Sequence, residues 1–374
     1  MRKSTFIGDN MSLVSSSTAD FKAMNSGARQ GVHVPSSWRI GQVVVSLLIL
    51  AIAIYFNTKG WMTGPKPVPG DSKTLLDQLG FVVLLAITWL TTPTVGVIAS
   101  TTFQESVRKR WLIVLLGGSL VLLACSVLFV GIQPGSETAL LRDYCTGFII
   151  GITMLMSIFL GVSLVPPEIE RRTIFTILSK PVNRMEFILG KFLGLCLTLF
   201  INLFLMVVIF FVTYILFEIN RQGYAGAMAV DMASQHPGMK FDVLNLTSAF
   251  ILHFGQLTIM AALALVLSLV VSHITALVGA FVIYFAGQMS SYWGVMGTGH
   301  GEDTVAQNMP KAAQGAMHIM YFLLPRLDRF DVRTQLVTQT PVFFNYVWKS
   351  WSAGLVYVGA LLLIGYLVFS DREF

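Results

Sequence analysis

Phe192 to Phe217 reads FLGLCLTLFINLFLMVVIFFVTYILF, 26 residues with no charged side chain among them. An α-helix needs about 20 predominantly apolar residues to cross the hydrocarbon core of a bilayer, since each residue advances it only about 1.5 Å. The stretch therefore predicts a membrane-spanning helix. Working outward, further apolar stretches of bilayer length lie near 40–57, 76–98, 111–132, 145–166, 247–271, 274–292 and 351–370. That makes eight expected spans in an all-α, polytopic helical bundle. Only Ser272 and His273 interrupt the pair at 247–292, and Pro93 in Thr91-Thr92-Pro93-Thr94 is expected to kink the second span. A buried helix tolerates such a kink when nearby hydroxyls satisfy the freed carbonyl.

Composition agrees with this reading. Of 374 residues, 55% are hydrophobic and 12% charged, against roughly 45–50% and about 25% in an average soluble domain. So little charge cannot clothe a water-facing surface of this size. The net charge of +6 invites a nucleic-acid reading, but the basic residues cluster at the ends of apolar runs without interleaved aromatics. No nucleic-acid partner is expected. Cys125, Cys145 and Cys196 have neither metal-ligand spacing nor the placement of a disulfide pair. Residues 1–37 are rich in Ser, Gly, Asn and Ala and predict a flexible tail. The first apolar run begins only near Ile40, so it is expected to be a retained span and not a cleaved signal.

Eight spans place both termini on one side. Arg2, Lys3, Lys22, Arg29 and Arg39, then Arg108, Lys109 and Arg110, then Arg171, Arg172, Lys180, Arg184 and Lys191, and finally Arg372, all fall on that side. They make up more than half of the 25 Lys and Arg, on the shorter segments, and the positive-inside rule then predicts cytoplasmic termini. The opposite side holds the long segment 293–350. Within it Ser290 to Asp303 is Gly- and Ser-rich, and Ala312 to Leu324 is apolar but too short to span. That run suits an interfacial or re-entrant helix, or equally one packed on the mouth of the bundle.

Between the fourth and fifth spans the chain reads Pro166-Pro167-Glu168-Ile169-Glu170-Arg171-Arg172-Thr173-Ile174-Phe175-Thr176-Ile177-Leu178-Ser179-Lys180-Pro181-Val182-Asn183-Arg184-Met185-Glu186-Phe187-Ile188-Leu189-Gly190-Lys191. The two prolines end one helix. Ile174, Ile177 and Leu178 share a face in the short helix that follows, with Glu168 and Glu170 near its positive end. Lys180-Pro181 stops it, because proline disfavours the α conformation in the residue before it. A short helix between rigid turns suits a protein on which another protein pushes; an ordinary charged loop that fixes topology has the same spacing.

The pattern Glu168-x-Glu170-x-x-Thr173, followed by Leu178-x-x-Pro181-Val182-x-Arg184-x-x-Phe187-x-x-Gly190-Lys191, resembles the signature of the type-2 ATP-binding-cassette transporter permeases. In that family it forms the coupling helix against the ATP-binding subunit. Thr102-Phe103-Gln104-Glu105-Ser106-Val107-Arg108 is similar to the family's amphipathic elbow, and Phe369-Ser370-Asp371-Arg372-Glu373-Phe374 to its C-terminal ending. Leu324-Pro325 and Phe330-Asp331 also resemble family positions. The chain departs at Arg172, where the family commonly has glycine.

The resemblance covers 98–374 as a six-span permease domain, with residues 38–97 as two additional spans. It implies an exporter subunit of the cell (inner) membrane, working as a homodimer or heterodimer of permeases with a separate ATPase. Glu168, Glu170, Arg171, Thr173, Leu178, Pro181, Val182, Arg184, Phe187, Gly190 and Lys191 would form its coupling region. No cofactor is expected on this chain, ATP acting through the partner. Gly190-Lys191 is no phosphate-binding loop, since Met185 and Phe192 occupy the positions where that motif needs glycine and Ser or Thr.

The six histidines lack metal-motif spacing, and the spans carry almost no carboxylates for an intramembrane enzyme. His253 and Gln256, one turn apart in the sixth span, are candidates either to line a translocation path or to bond neighbouring helices. A membrane scaffold passing ATPase-driven motion to a partner is the alternative to an exporter.

Overall fold

The computed structural model describes residues 36–58, 75–130, 137–164, 183–228, 239–290, 292–293, 296, 310–337, 340, 342 and 344–371. The chain is an all-α, polytopic helical bundle. Its helices are α1 (Ser36–Thr58), α2 (Leu75–Leu90), α3 (Pro93–Val107), α4 (Arg110–Val130), α5 (Glu137–Ser163), α6 (Arg184–Met228), α7 (Met239–Val270) and α8 (His273–Gln288). After them come α9 (Lys311–Leu323), a 3-10 turn (Leu327–Phe330), α10 (Arg333–Val337) and α11 (Phe344–Asp371). The expected tail falls almost wholly outside the described residues, as do Glu168, Glu170, Arg171, Thr173, Leu178, Pro181 and Val182.

Four described helices are long and apolar enough to cross a membrane alone: Glu137–Ser163, Arg184–Asn220, Val243–Val270 and Asn345–Phe369. Trp38–Ile52, Leu112–Ser126 and His273–Gln288 are shorter apolar helices at three of the other expected places. The expected second span, 76–98, needs correcting. Its helix ends at Leu90, and α3 leaves at 94° to it. Thr92 is extended (φ −95°, ψ 164°) and Pro93 opens the next helix, as the steric restriction on a residue before proline dictates. The expected kink at Pro93 is a 94° corner, and the two helices are long and apolar enough to span only when taken together, with Val95, Val97 and Ile98 on the second. The elbow motif at 102–108 forms the last part of α3 and the turn behind it.

The interior is built by α5, α6, α7 and α11. Gly161 on α5 lies so close to α7 that a Cβ would stand 2.6 Å from that of Ala264, the small-residue contact that lets apolar helices approach in a solvent as apolar as themselves. The α2 helix packs on α11, where the Phe81 and Trp348 rings lie 4.2 Å apart. Phe204, Val208, Val212 and Leu216 on α6 are exposed at helical spacing and form an apolar row on the outside of the bundle.

At the end of the bundle where α5, α7 and α11 begin, the segment after α9 is bolted down. Asn245 donates to the Thr340 carbonyl (2.9 Å) and accepts from the Val342 N–H (2.8 Å). Arg333 pairs with Asp143 at 2.8 Å, and Ser290 bonds Asp328. Phe330 is 4% exposed and fills a notch between Gly255 and Gly354, its ring 2.8 Å and 3.0 Å from where their Cβ atoms would stand. In contrast α9 leaves Ile319, Met320 and Leu323 exposed.

Candidate functional site

The opposite end of the bundle holds the four described residues of those that the resemblance singled out for the coupling region, Arg184, Phe187, Gly190 and Lys191. Asn183 starts α6, and Phe187 N–H donates to its carbonyl at 3.1 Å. Glu186 turns back to accept the Asn183 N–H at 3.1 Å, the side-chain half of a capping box at a helix start whose N–H groups otherwise lack partners. Its other oxygen accepts the Thr92 hydroxyl at 2.9 Å, so the first residues of α6 and of α3 are tied through one buried carboxylate.

One turn on, α3 lies flat on α6. Cβ atoms at Gly190 and Gly194 would stand 2.7 Å from Ile98 Cβ and 2.6 Å from Thr102 Cβ, and the second would also meet the Ala99 carbonyl at 2.7 Å. Glycine is required at both positions because backbone faces backbone there. Between them Lys191, with its side chain 5% exposed, reaches Glu105 at 3.5 Å on the rim of α3, where Glu105 is 43% exposed. The Lys191 ammonium also lies 5.9 Å from the Phe187 ring. Arg184 donates to the Phe369 carbonyl at 3.1 Å, and the Phe187 and Phe369 rings stack at 5.7 Å, bringing the end of α11 into the same junction.

The exit of α3 grips the other side of the segment. Lys109 donates to the Ser163 carbonyl (3.1 Å) and hydroxyl (2.9 Å) at the last turn of α5. A cation there satisfies carbonyls that a helix end leaves open. Both flanks of 165–182 are thus held by one short helix and its exit turn, through Lys109 on the α5 side and through Thr92 and Glu105 on the α6 side.

Arg184, Phe187, Gly190 and Lys191 therefore meet in space, while the other seven residues of the expected coupling region lie outside the described residues. Glu186, Glu105, Lys109, Thr92 and Gly194 were not anticipated as site residues. The spacings Asn183-x-x-Glu186 and Gly190-x-x-x-Gly194 carried the signal for two of them, as a cap and as a close helix crossing.

His253 and Gln256 lie elsewhere, buried between α5 and α7. His253 Nε2 is 2.7 Å from the Thr153 hydroxyl and Nδ1 is 3.2 Å from Gln256 Oε1. On the other side of α5, a groove of about 350 Å³ is lined by Leu122, Phe148, Gly151, Leu155, Tyr284 and Phe285 from α4, α5 and α8. Asp143, Gly147 and Gly151 follow one another at four-residue spacing along α5, and Arg333 Nη2 lies 3.1 Å from where a Gly147 Cβ would stand. The Arg333–Asp143 pair thus sits at one end of an otherwise apolar groove.

A family model described as "ABC-2 family transporter protein" matches residues 96–374. The chain belongs to the ABC-2 transporter family. The matched range holds every described part of the junction except Thr92, together with the groove and the bolted segment before α11. The ABC-2 match leaves out α1, α2 and the first three residues of α3. No curated protein matches the chain. Family and helices together make this a multi-pass membrane protein, the transmembrane subunit of an ABC-2 transporter.

Proposed function

We propose that this chain is the permease subunit of an exporter in the cell (inner) membrane, driven by ATP hydrolysis in a separate ATP-binding-cassette subunit. Two permease copies, identical or related, pair in the working complex, and both termini face the cytoplasm. The observation that carries the reading is the hold of α3 and its exit on both flanks of 165–182. A segment that another protein pushes upon transmits displacement only if its flanks are anchored, and here the anchors are two helix ends and an ion pair. Glu168, Glu170, Arg171, Thr173, Leu178, Pro181 and Val182 are assigned to the contact with the ATPase. Arg184, Phe187, Gly190 and Lys191 are assigned to passing the movement to α6 and α11.

The groove between α4, α5 and α8 is our candidate for the substrate path, its apolar lining supporting a cargo with a large apolar body. His253 and Gln256 lie behind it, and the bond of His253 to Thr153, with Gln256 bonded in turn to His253, supports holding α5 against α7 as their role more than lining the path. The scaffold alternative draws on the far end, where Asn245, Asp143 and Phe330 fasten a segment that would carry motion to an outside partner.

Affinity purification of the tagged chain in mild detergent tests the proposal. An ATPase is expected to co-elute with the wild type and to be lost from Glu170→Arg and Arg184→Glu. Absence of any ATPase, or its full retention by both variants, would make 168–191 a topological loop and remove the main support.

A further inference from the structure

The two N-terminal helices lie outside the family match, yet they meet the junction at the start of α6. The corner between α2 and α3 strands backbone carbonyls, because Pro93 has no N–H to offer and the helix stops at Leu90. Carbonyls stranded where neither a helix partner nor water reaches them are costly. Here α1 supplies the donors. Trp38 Nε1–H donates to the Thr91 carbonyl at 2.8 Å, and the Gln42 amide donates to the carbonyls of Thr91 at 2.5 Å and Thr88 at 3.0 Å. The Thr91 hydroxyl adds a bond to the Thr88 carbonyl at 2.6 Å. The next residue along, Thr92, is the one bonded to Glu186. One continuous row therefore runs from α1 through the corner to the cap of α6.

The rest of the pair is fixed to the domain independently. A Cβ at Gly80 on α2 would stand 2.5 Å from the Ser352 hydroxyl oxygen on α11, and one at Gly359 on α11 would lie 3.4 Å from Val83. The α2 helix is thus a rigid post on α11, and α1 closes the corner from outside. Its other face, with Ile40, Val44, Leu47 and Leu48, is exposed and apolar, as expected for a helix with lipid beyond it.

We propose that the N-terminal helix pair is a clamp on the α2–α3 corner, with Trp38 and Gln42 the positioning residues that set the angle at which α3 meets the start of α6. The link from this clamp to ATP-driven motion rests on the coupling role proposed above. The clamp itself does not.

Spin labels at Ser100 on α3 and Val208 on α6, both exposed, read the angle in the purified full chain in lipid nanodiscs, with the three cysteines replaced by alanine. Gln42→Leu keeps the volume and removes the donor, and Trp38→Phe keeps a ring and removes the N–H. Each is expected to raise the population outside the wild-type distance peak about tenfold, the factor that one or two lost hydrogen bonds supply. Gln42→Arg, which retains donors on a longer stem, is expected to restore the peak, and Leu48→Ala on the lipid side to leave it unchanged. A wild-type distribution in both Gln42→Leu and Trp38→Phe overturns the clamp whether or not an ATPase binds. A broadened distribution in a chain that binds no ATPase supports the clamp and removes only its connection to coupling.

Discussion

Gly194→Leu is expected to pry α3 from α6 and to cost about 3 kcal/mol or more, above the usual range for overpacking. The added Cβ alone would stand 2.6 Å from Thr102 Cβ and 2.7 Å from the Ala99 carbonyl. One of those neighbours is backbone, which cannot rotate aside as a flexible side chain would. Once α3 lifts, the Lys191–Glu105 pair opens as well. Thermal unfolding in detergent checks the prediction, with Gly117→Leu as the comparison. Gly117 on α4 has open space where its Cβ would go, so the same apolar addition is expected to be tolerated there. Equal melting temperatures for the two variants would mean that the crossing is looser than described.

Phe330→Ala is the second large effect, at the other end of the molecule. Emptying a buried phenylalanine site costs about 3–5 kcal/mol where the walls cannot collapse. The walls here are Gly255 on α7 and Gly354 on α11, backed by Trp351 and Ile259. Trp351 is itself tied through its indole N–H to the Ile251 carbonyl at 3.0 Å. The cavity therefore persists, and the segment between α9 and α11 loses its central anchor while Asn245 and Asp143 still hold its later part. Limited proteolysis is expected to cut the variant between residues 324 and 331 much faster than the wild type. Unchanged cleavage would place the anchoring in the polar contacts alone.

The helices were largely legible because an uncharged apolar run of bilayer length is rarely anything but a span. The corner at Thr92 was not. Val95, Val97 and Ile98 continue the hydropathy of the preceding run, and one proline inside a membrane helix usually means a kink. At the 94° turn Trp38 and Gln42, some fifty residues earlier, donate to the stranded carbonyls, and Thr92 bonds Glu186. Those are tertiary facts that no local pattern contains.

The junction was legible in part, for a different reason. Arg184, Phe187, Gly190 and Lys191 stand out through their resemblance to a family signature, whereas Glu105, Lys109 and Glu186 look like ordinary charges beside apolar runs until the fold sets them against helix ends. His253 and Gln256 were visible as polar residues at membrane depth. The hydrogen-bond partner on α5, Thr153, and so the face of α7 they occupy, was not.

The central claim is that the segment whose flanks α3 grips is where the ATPase meets this chain. Site-specific photo-crosslinking measures that contact directly. A photoreactive residue at position 173, replacing Thr173, in the chain purified with its ATPase is predicted to give an adduct at the summed mass of the two subunits, and the same residue in place of His318 on α9 to give none. An adduct from position 318, or none from position 173 while the ATPase still co-elutes, would contradict the account.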